Sequence, residues 1–308
     1  MTKQADRTIA TPVRSCNTPS DAESCRRFET RASLAACIRG FVVRRVDHVM
    51  DTEHFSRFPA TTSCRMSWFI DGSFVRLSGQ QSTPERIVFR GPQTRPAVAR
   101  HRGPLRVFIL LLAPDAFYSL TNIGADRYLN RTCPMASVLD DSWQAMAAEV
   151  LRASTDEQRV SLVEEFLEPR WRAVLSRDRP LAWGPAQRHG EWSRAAISRA
   201  ATLAEGRSRR QRERHMRSMT GWSARALRSL ARVEDALLIA ARSAQSHINW
   251  AGVAAEAGYA DQSHLCRELR RYTGLSPQQL WCRMPNEQAL WVYRAWFGRT
   301  VPTTGTTA

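Results

Sequence analysis

Six arginines, Arg207, Arg209, Arg210, Arg212, Arg214 and Arg217, crowd an eleven-residue stretch that holds one acid, Glu213. A guanidinium offers a planar fork of donors, which suits phosphate oxygens and the O6/N7 edge of guanine. A second set of the same kind stands further along: Gln262, Ser263, His264, Arg267, Arg270 and Arg271. Gln presents the donor and acceptor pair that matches adenine. Between residues 191 and 283 there are 16 arginines and 8 acids, a net of +8. The whole chain of 308 residues carries 45 basic and 29 acidic residues, formally +16, and its single lysine is Lys3. This balance favours a polyanionic partner, nucleic acid before an anionic membrane.

Other chemistries lack their residues. The 7 cysteines are scattered without a C-x-x-C pair, which points to reduced thiols and away from a zinc site. The 7 histidines do not form H-x-H or H-E-x-x-H spacings. No phosphate-binding glycine loop, dinucleotide fingerprint or nucleophile elbow occurs. The expectation is a protein that is not an enzyme and has no cofactor. The longest apolar run, Val107 to Ala113, is too short for a bilayer and reads as a buried strand. With a polar N-terminus lacking a signal-peptide core, the expected location is the cytoplasm.

The elements that must carry the two basic sets are helices. Trp250, Val253, Ala254 and Ala257 recur at helical spacing, and Gly258 ends the run. Asp261 is an N-cap for a second helix with the stripe Leu265, Leu269 and Tyr272, stopped by Gly274. Ser276-Pro277 opens a third helix bearing Leu280 and Trp281. Helix, short glycine turn, helix is a helix-turn-helix unit. At 100° per residue Ser263 and Arg267 point away from the apolar stripe, with Gln262, His264 and Arg271 beside them.

The pattern occurs twice, 53 residues apart. Ile197, Ala200, Ala201 and Ala204 align with Trp250, Val253, Ala254 and Ala257, and Ser208 aligns with Asp261. Arg214 and Arg217 align with Arg267 and Arg270, and Thr220-Gly221 with Thr273-Gly274. Ala224 to Ala241 reads as a helix that joins the units and sets their separation. Two such units suit successive major grooves, about 34 Å apart along one face of B-DNA.

Residues 30 to 135 read as strand-rich. Met66–Ile70 and Ser73–Leu77 flank Asp71-Gly72 as a hairpin, with further strands at Arg86–Phe89 and Leu105–Leu112. Two helices follow, one through Trp143, Met146, Ala147, Val150 and Leu151, the other over about Glu157–Leu175. Trp68, Phe69, Phe89 and Phe117 read as core, with a pocket lining as the alternative. The expected organisation is a disordered segment over 1–29, a β-rich domain with two helices over 30–175, and a linker over 176–190. A helical DNA-binding domain over 191–285 and a tail over 286–308 complete it.

The run GYADQSHLCREL followed by TGLSP strongly resembles the second helix-turn-helix of AraC-type transcriptional regulators. SRRQRERHMRSMTGWS is similar to the first. The resemblance covers about residues 190 to 285 and implies a seven-helix domain that contacts two adjacent major-groove segments. Carried onto this chain, the reading faces are Arg209, Arg210, Glu213 and Arg214 in the first unit, and Gln262, Ser263, His264 and Arg267 in the second. Arg212 departs from the family, which buries a leucine there. The segments SWFIDG, FRGPQ and LLAPDAFYSLT are similar to a cupin-like β-barrel found ahead of this domain. The fold class is then α+β multidomain, a β-rich cupin-like domain with following helices and an all-α domain of two tandem helix-turn-helix units. The resemblance implies RNA polymerase as a partner and a small-molecule effector or a second copy for the N-terminal domain. The function the resemblance implies is a sequence-specific DNA-binding transcription regulator, an activator. Two alternatives stay open, a barrel enzyme and a protein-interaction module with only electrostatic DNA binding.

Overall fold

The computed structural model describes residues 23–47, 53–74, 76–77, 80–81, 85–177, 189–203, 205–206, 208–243, 248–285 and 287–297. Ten strands form in the first half: β1 (Glu23–Phe28), β2 (Ile38–Val46), β3 (Glu53–Phe58), β4 (Cys64–Asp71) and β5 (Arg76–Leu77). Then come β6 (Gln80–Gln81), β7 (Ile87–Arg90), β8 (Ala97–Arg102), β9 (Leu105–Leu112) and β10 (Thr132–Pro134). They make a six-stranded sheet, β1-β2-β9-β4-β7-β10, and a four-stranded sheet, β3-β8-β5-β6. The β-rich domain is thus two sheets, with no closed barrel among the described residues. Every pairing within them is antiparallel.

The hairpin expected around Asp71-Gly72 does not form. β4 pairs with β7 and β9, while Arg76–Leu77 belongs to the other sheet. Gly72 holds φ +68, and a Cβ there would stand 2.3 Å from the Pro104 carbonyl oxygen. It makes a tight crossing between sheets rather than a hairpin turn. Residues 1–22 of the segment expected to be disordered lie outside the described residues, and the rest of it is ordered. Glu23–Phe28 pairs along its whole length with β2.

The large sheet packs its outer face on helices. After α1 (Pro114–Thr121) come α2 (Asp141–Arg152) and α3 (Asp156–Arg177). Trp143, Met146, Ala147 and Val150 of α2, with Val163, Leu167 and Trp171 of α3, are buried, as their spacing requires. Trp68 of β4 donates its ring N–H to the Ala147 carbonyl at 3.0 Å. Trp68, Phe89 and Phe117 are fully enclosed and Phe69 nearly so, which makes them core.

Most of the expected linker, residues 178–188, lies outside the described residues. Beyond it run α4 (His189–Leu203), α5 (Arg209–Thr220), α6 (Ala224–Arg242), α7 (Trp250–Glu256), α8 (Gln262–Thr273) and α9 (Pro277–Arg283). α10 (Trp291–Phe297) is the last. The expected tail from 286 is therefore in part a helix, and it packs back onto the sheets. No helix among the described residues is long and apolar enough to cross a membrane.

Candidate nucleic-acid interface

Each half of the interface is built from caps inward. Ser208 and Gln211 close a capping box at the start of α5. Asp261 accepts from the His264 backbone N–H at 2.6 Å at the start of α8. The ends repeat more closely still. The Thr220 hydroxyl donates to the Met216 carbonyl at 2.7 Å and accepts from the Trp222 N–H at 3.1 Å. Thr273 does the same with Leu269, at 2.8 Å, and Leu275, at 3.1 Å. Gly221 and Gly274 follow in the left-handed region, at φ +74 and +79, where glycine is unstrained. The turn glycines ahead of the helices, Gly206 and Gly258, also have positive φ, +75 and +74.

Inward, α8 buries Leu265, Leu269 and Tyr272, each worth about 1.5–3 kcal/mol of transfer energy. The Tyr272 hydroxyl donates to Ser229 of α6 at 3.0 Å, and its ring lies 6.0 Å from Trp222 of the first unit. α5 buries Met216, Met219 and Thr220. α6 buries Leu227, Leu230 and Leu237 between them, so the joining helix is part of the core of both units.

Outward, the sequence-derived faces are open. Arg209, Arg210, Arg214 and Arg217 are exposed, and Glu213 is half-buried. Gln262, Ser263, Arg267, Arg270 and Arg271 are exposed, and His264 is half-buried. Arg209, Arg210, Glu213, Arg214 and Arg217 line one open concavity on α5. Glu213 is held by Arg217, whose Nε lies 3.2 Å from its carboxylate. His264 meets the Tyr259 ring edge-on at 5.2 Å, and Arg271 lies over the Tyr272 ring at 5.4 Å. Arg212, which aligns with buried Leu265, is exposed, so the departure costs no buried charge and adds a cation.

Two expectations change in detail. Ala201 is exposed although its counterpart Ala254 is buried. α4 instead buries Trp192, Ser193, Ala196, Arg199 and Ala200, because its inner face serves the β-rich domain as well as α6. Ala204 lies outside the described residues. Sequence reasoning also missed Asp126, an exposed acid of the β-rich domain that shares the α5 concavity. No local pattern marks it, because its place depends on how the domains meet.

The two basic helices, carried in tandem and capped alike, present guanidinium donors to solvent. Among the described residues no group of three or more His, Cys, Asp or Glu is placed to hold a metal ion. A family model described as a helix-turn-helix domain matches residues 203–281. Residues 203–281 thus form a helix-turn-helix domain, the class of fold that sets a helix into a DNA groove.

Solved structures of ToxT from Vibrio cholerae are similar in outline. One is 9% identical, covers 85% of this chain and 98% of that chain, and has a TM-score of 0.37. A form with bound unsaturated fatty acid is 13% identical, covers 77% and 93%, and also has a TM-score of 0.37. No significant match is found among curated proteins.

Proposed function

We propose that the protein binds specific DNA sequences and regulates transcription, with α5 and α8 entering two adjacent major-groove segments. One observation carries this reading. The two helices repeat each other's caps, core stripe and outward arginines, and α6 packs beneath both. Arg267 and Arg214 stand at equivalent positions for base edges, while Arg209, Arg217, Arg270 and Arg271 suit phosphates. Glu213, held by Arg217, orients that arginine. The mechanism involves no catalysis. A bound protein alters promoter occupancy by RNA polymerase, and its place of action is the cytoplasm.

The β-rich domain is the sensing part, in which a small-molecule effector or a second copy acts on the helices. Its division from the rest falls between α3 and α4. Selection of binding sites from random duplexes tests the DNA reading. Enrichment of one bipartite site that Arg267→Ala relaxes supports it. Steep salt dependence on every duplex with no enriched sequence leaves only electrostatic binding.

A further inference from the structure

The two basic helices share caps and core but not surroundings. Ser218 of α5 aligns with Arg271 of α8, near the end of each helix. In α8 that position is open, and Arg271 is exposed. In α5 the β-rich domain covers it. A single tight helical turn, Ala125–Tyr128, lies along this flank of α5, and a Cβ on Gly124, just ahead of it, would stand 3.1 Å from the Ser218 hydroxyl. Tyr118 of α1 closes the same side, its ring edge-on to His215 at 6.1 Å. An arginine at 218 would collide with the Gly124 backbone, and the shorter serine stands there.

The turn brings an acid of the β-rich domain to the outward face of α5. Asp126 is exposed and borders the concavity of Arg209, Arg210, Glu213, Arg214 and Arg217. Glu213 is engaged by Arg217 at 3.2 Å, whereas the Asp126 carboxylate makes no ion pair among the described residues. The turn beneath it is fixed. Ala125 is fully buried, the Gly124 carbonyl accepts from the Arg127 N–H at 3.2 Å, and the Asp126 carbonyl accepts from the Leu129 N–H at 3.2 Å. The second unit has no such acid on its outward face. Glu268 of α8 lies 3.5 Å from Arg232 of α6, on the inner side.

A carboxylate at the rim of a DNA groove acts in two ways. It repels phosphate, which weakens every complex held by charge alone. It also accepts a hydrogen bond from the amino group that cytosine displays in the major groove. Among arginines, it therefore disfavours any duplex that does not bring that donor to it.

We propose that Asp126 is a specificity-determining residue, lent by the β-rich domain to the reading face of α5, and that it selects cytosine at one position of that half-site. This rests on the reading of α5 as a major-groove helix. The two half-sites are then read by unlike surfaces, α8 alone on one side and α5 with the Ala125–Tyr128 turn on the other.

The test is site selection from random duplexes with the full chain, as wild type and as Asp126→Asn, followed by titration of both on selected and random DNA at several salt concentrations. The substitution is isosteric and exposed, and matching melting curves confirm that the fold is kept. Arg214→Ala, which relaxes a base read by α5, identifies the half-site. Wild type should enrich cytosine at one position there, and Asp126→Asn should lose that preference while the α8 half stays unchanged. Random duplex should bind Asp126→Asn about three-fold more tightly at low salt. The ratio of selected to random affinity should fall about ten-fold. An unchanged base profile overturns the proposal, as does a gain of the same factor on selected and random DNA, which leaves Asp126 only a general repulsion. A wild type that enriches no sequence sinks the DNA reading itself. A bipartite site that Asp126→Asn reads as wild type does sinks this proposal alone.

Discussion

Arg199 of α4 grips Asp115 of α1 with two donors, its Nε at 2.8 Å, in an ion pair that crosses from the β-rich domain to the helical one. Both side chains are buried, and the Trp192 ring N–H donates to the other Asp115 oxygen at 3.2 Å. Asp115→Ala strands a buried guanidinium and should cost about 3–5 kcal/mol in denaturant unfolding. The double variant Asp115→Leu with Arg199→Met should recover most of that loss. A loss under 1 kcal/mol for Asp115→Ala shows that water reaches the pair.

Gly221 and Gly274 both rest on the loop between β7 and β8. A Cβ at Gly221 would meet Pro92 at 3.3 Å and Leu129 at 3.2 Å, and one at Gly274 would meet Pro96 at 3.4 Å. Alanine at either position also takes a positive φ. Each change should cost about 1 kcal/mol or more, the larger loss at Gly221, where the neighbours are closer. Thermal unfolding of the two variants checks the order.

Arg267→Ala should weaken a selected site by about 1–3 kcal/mol and relax preference at one base position. Arg217→Ala should weaken all duplexes alike and reduce the salt slope by about one. Equilibrium titrations on selected and random DNA at several salt concentrations distinguish them. Equal loss on both DNAs for Arg267→Ala would assign that residue to phosphate.

Glu234 of α6 is pushed up to about 7 by burial, with Asp235 adding to the rise and Arg39 and Arg194 opposing it. Its folded pKa lies above the unfolded value of about 4.3, so the folded state prefers the neutral acid. Stability from this group is full below about pH 4.3 and is lost as the pH rises to about 7. Glu234→Gln should therefore match wild type near pH 4 and melt higher at pH 8. Parallel melts across that range test it, and identical curves at both ends contradict it.

The helical half was legible because its signals are local. Asp261, Gly274, Ser276 and the Leu265–Leu269 stripe each act within one or two turns, and the arginines repeat at one offset. The strands were harder. β2 carries Arg39, Arg44 and Arg45 among its apolar residues, and Arg44 is buried by tertiary packing that no alternation reveals. Asp71-Gly72 has the composition of a hairpin turn, yet the chain uses it to change sheets. Asp126 was illegible for another reason, since its role arises only where the two domains touch.

A single core holding α5 and α8 at a fixed spacing requires the two halves of a DNA site to keep one separation. The most direct test inserts 5 base pairs between the two halves of a selected site, with a 10-base-pair insertion alongside. Each insertion moves one half away from its helix, and the shorter also turns it to the opposite face of the duplex. Either insertion should lower affinity to that of a single half-site, by about two orders of magnitude or more. Undiminished binding to both inserted sites would show that the two helices do not read DNA as a fixed pair.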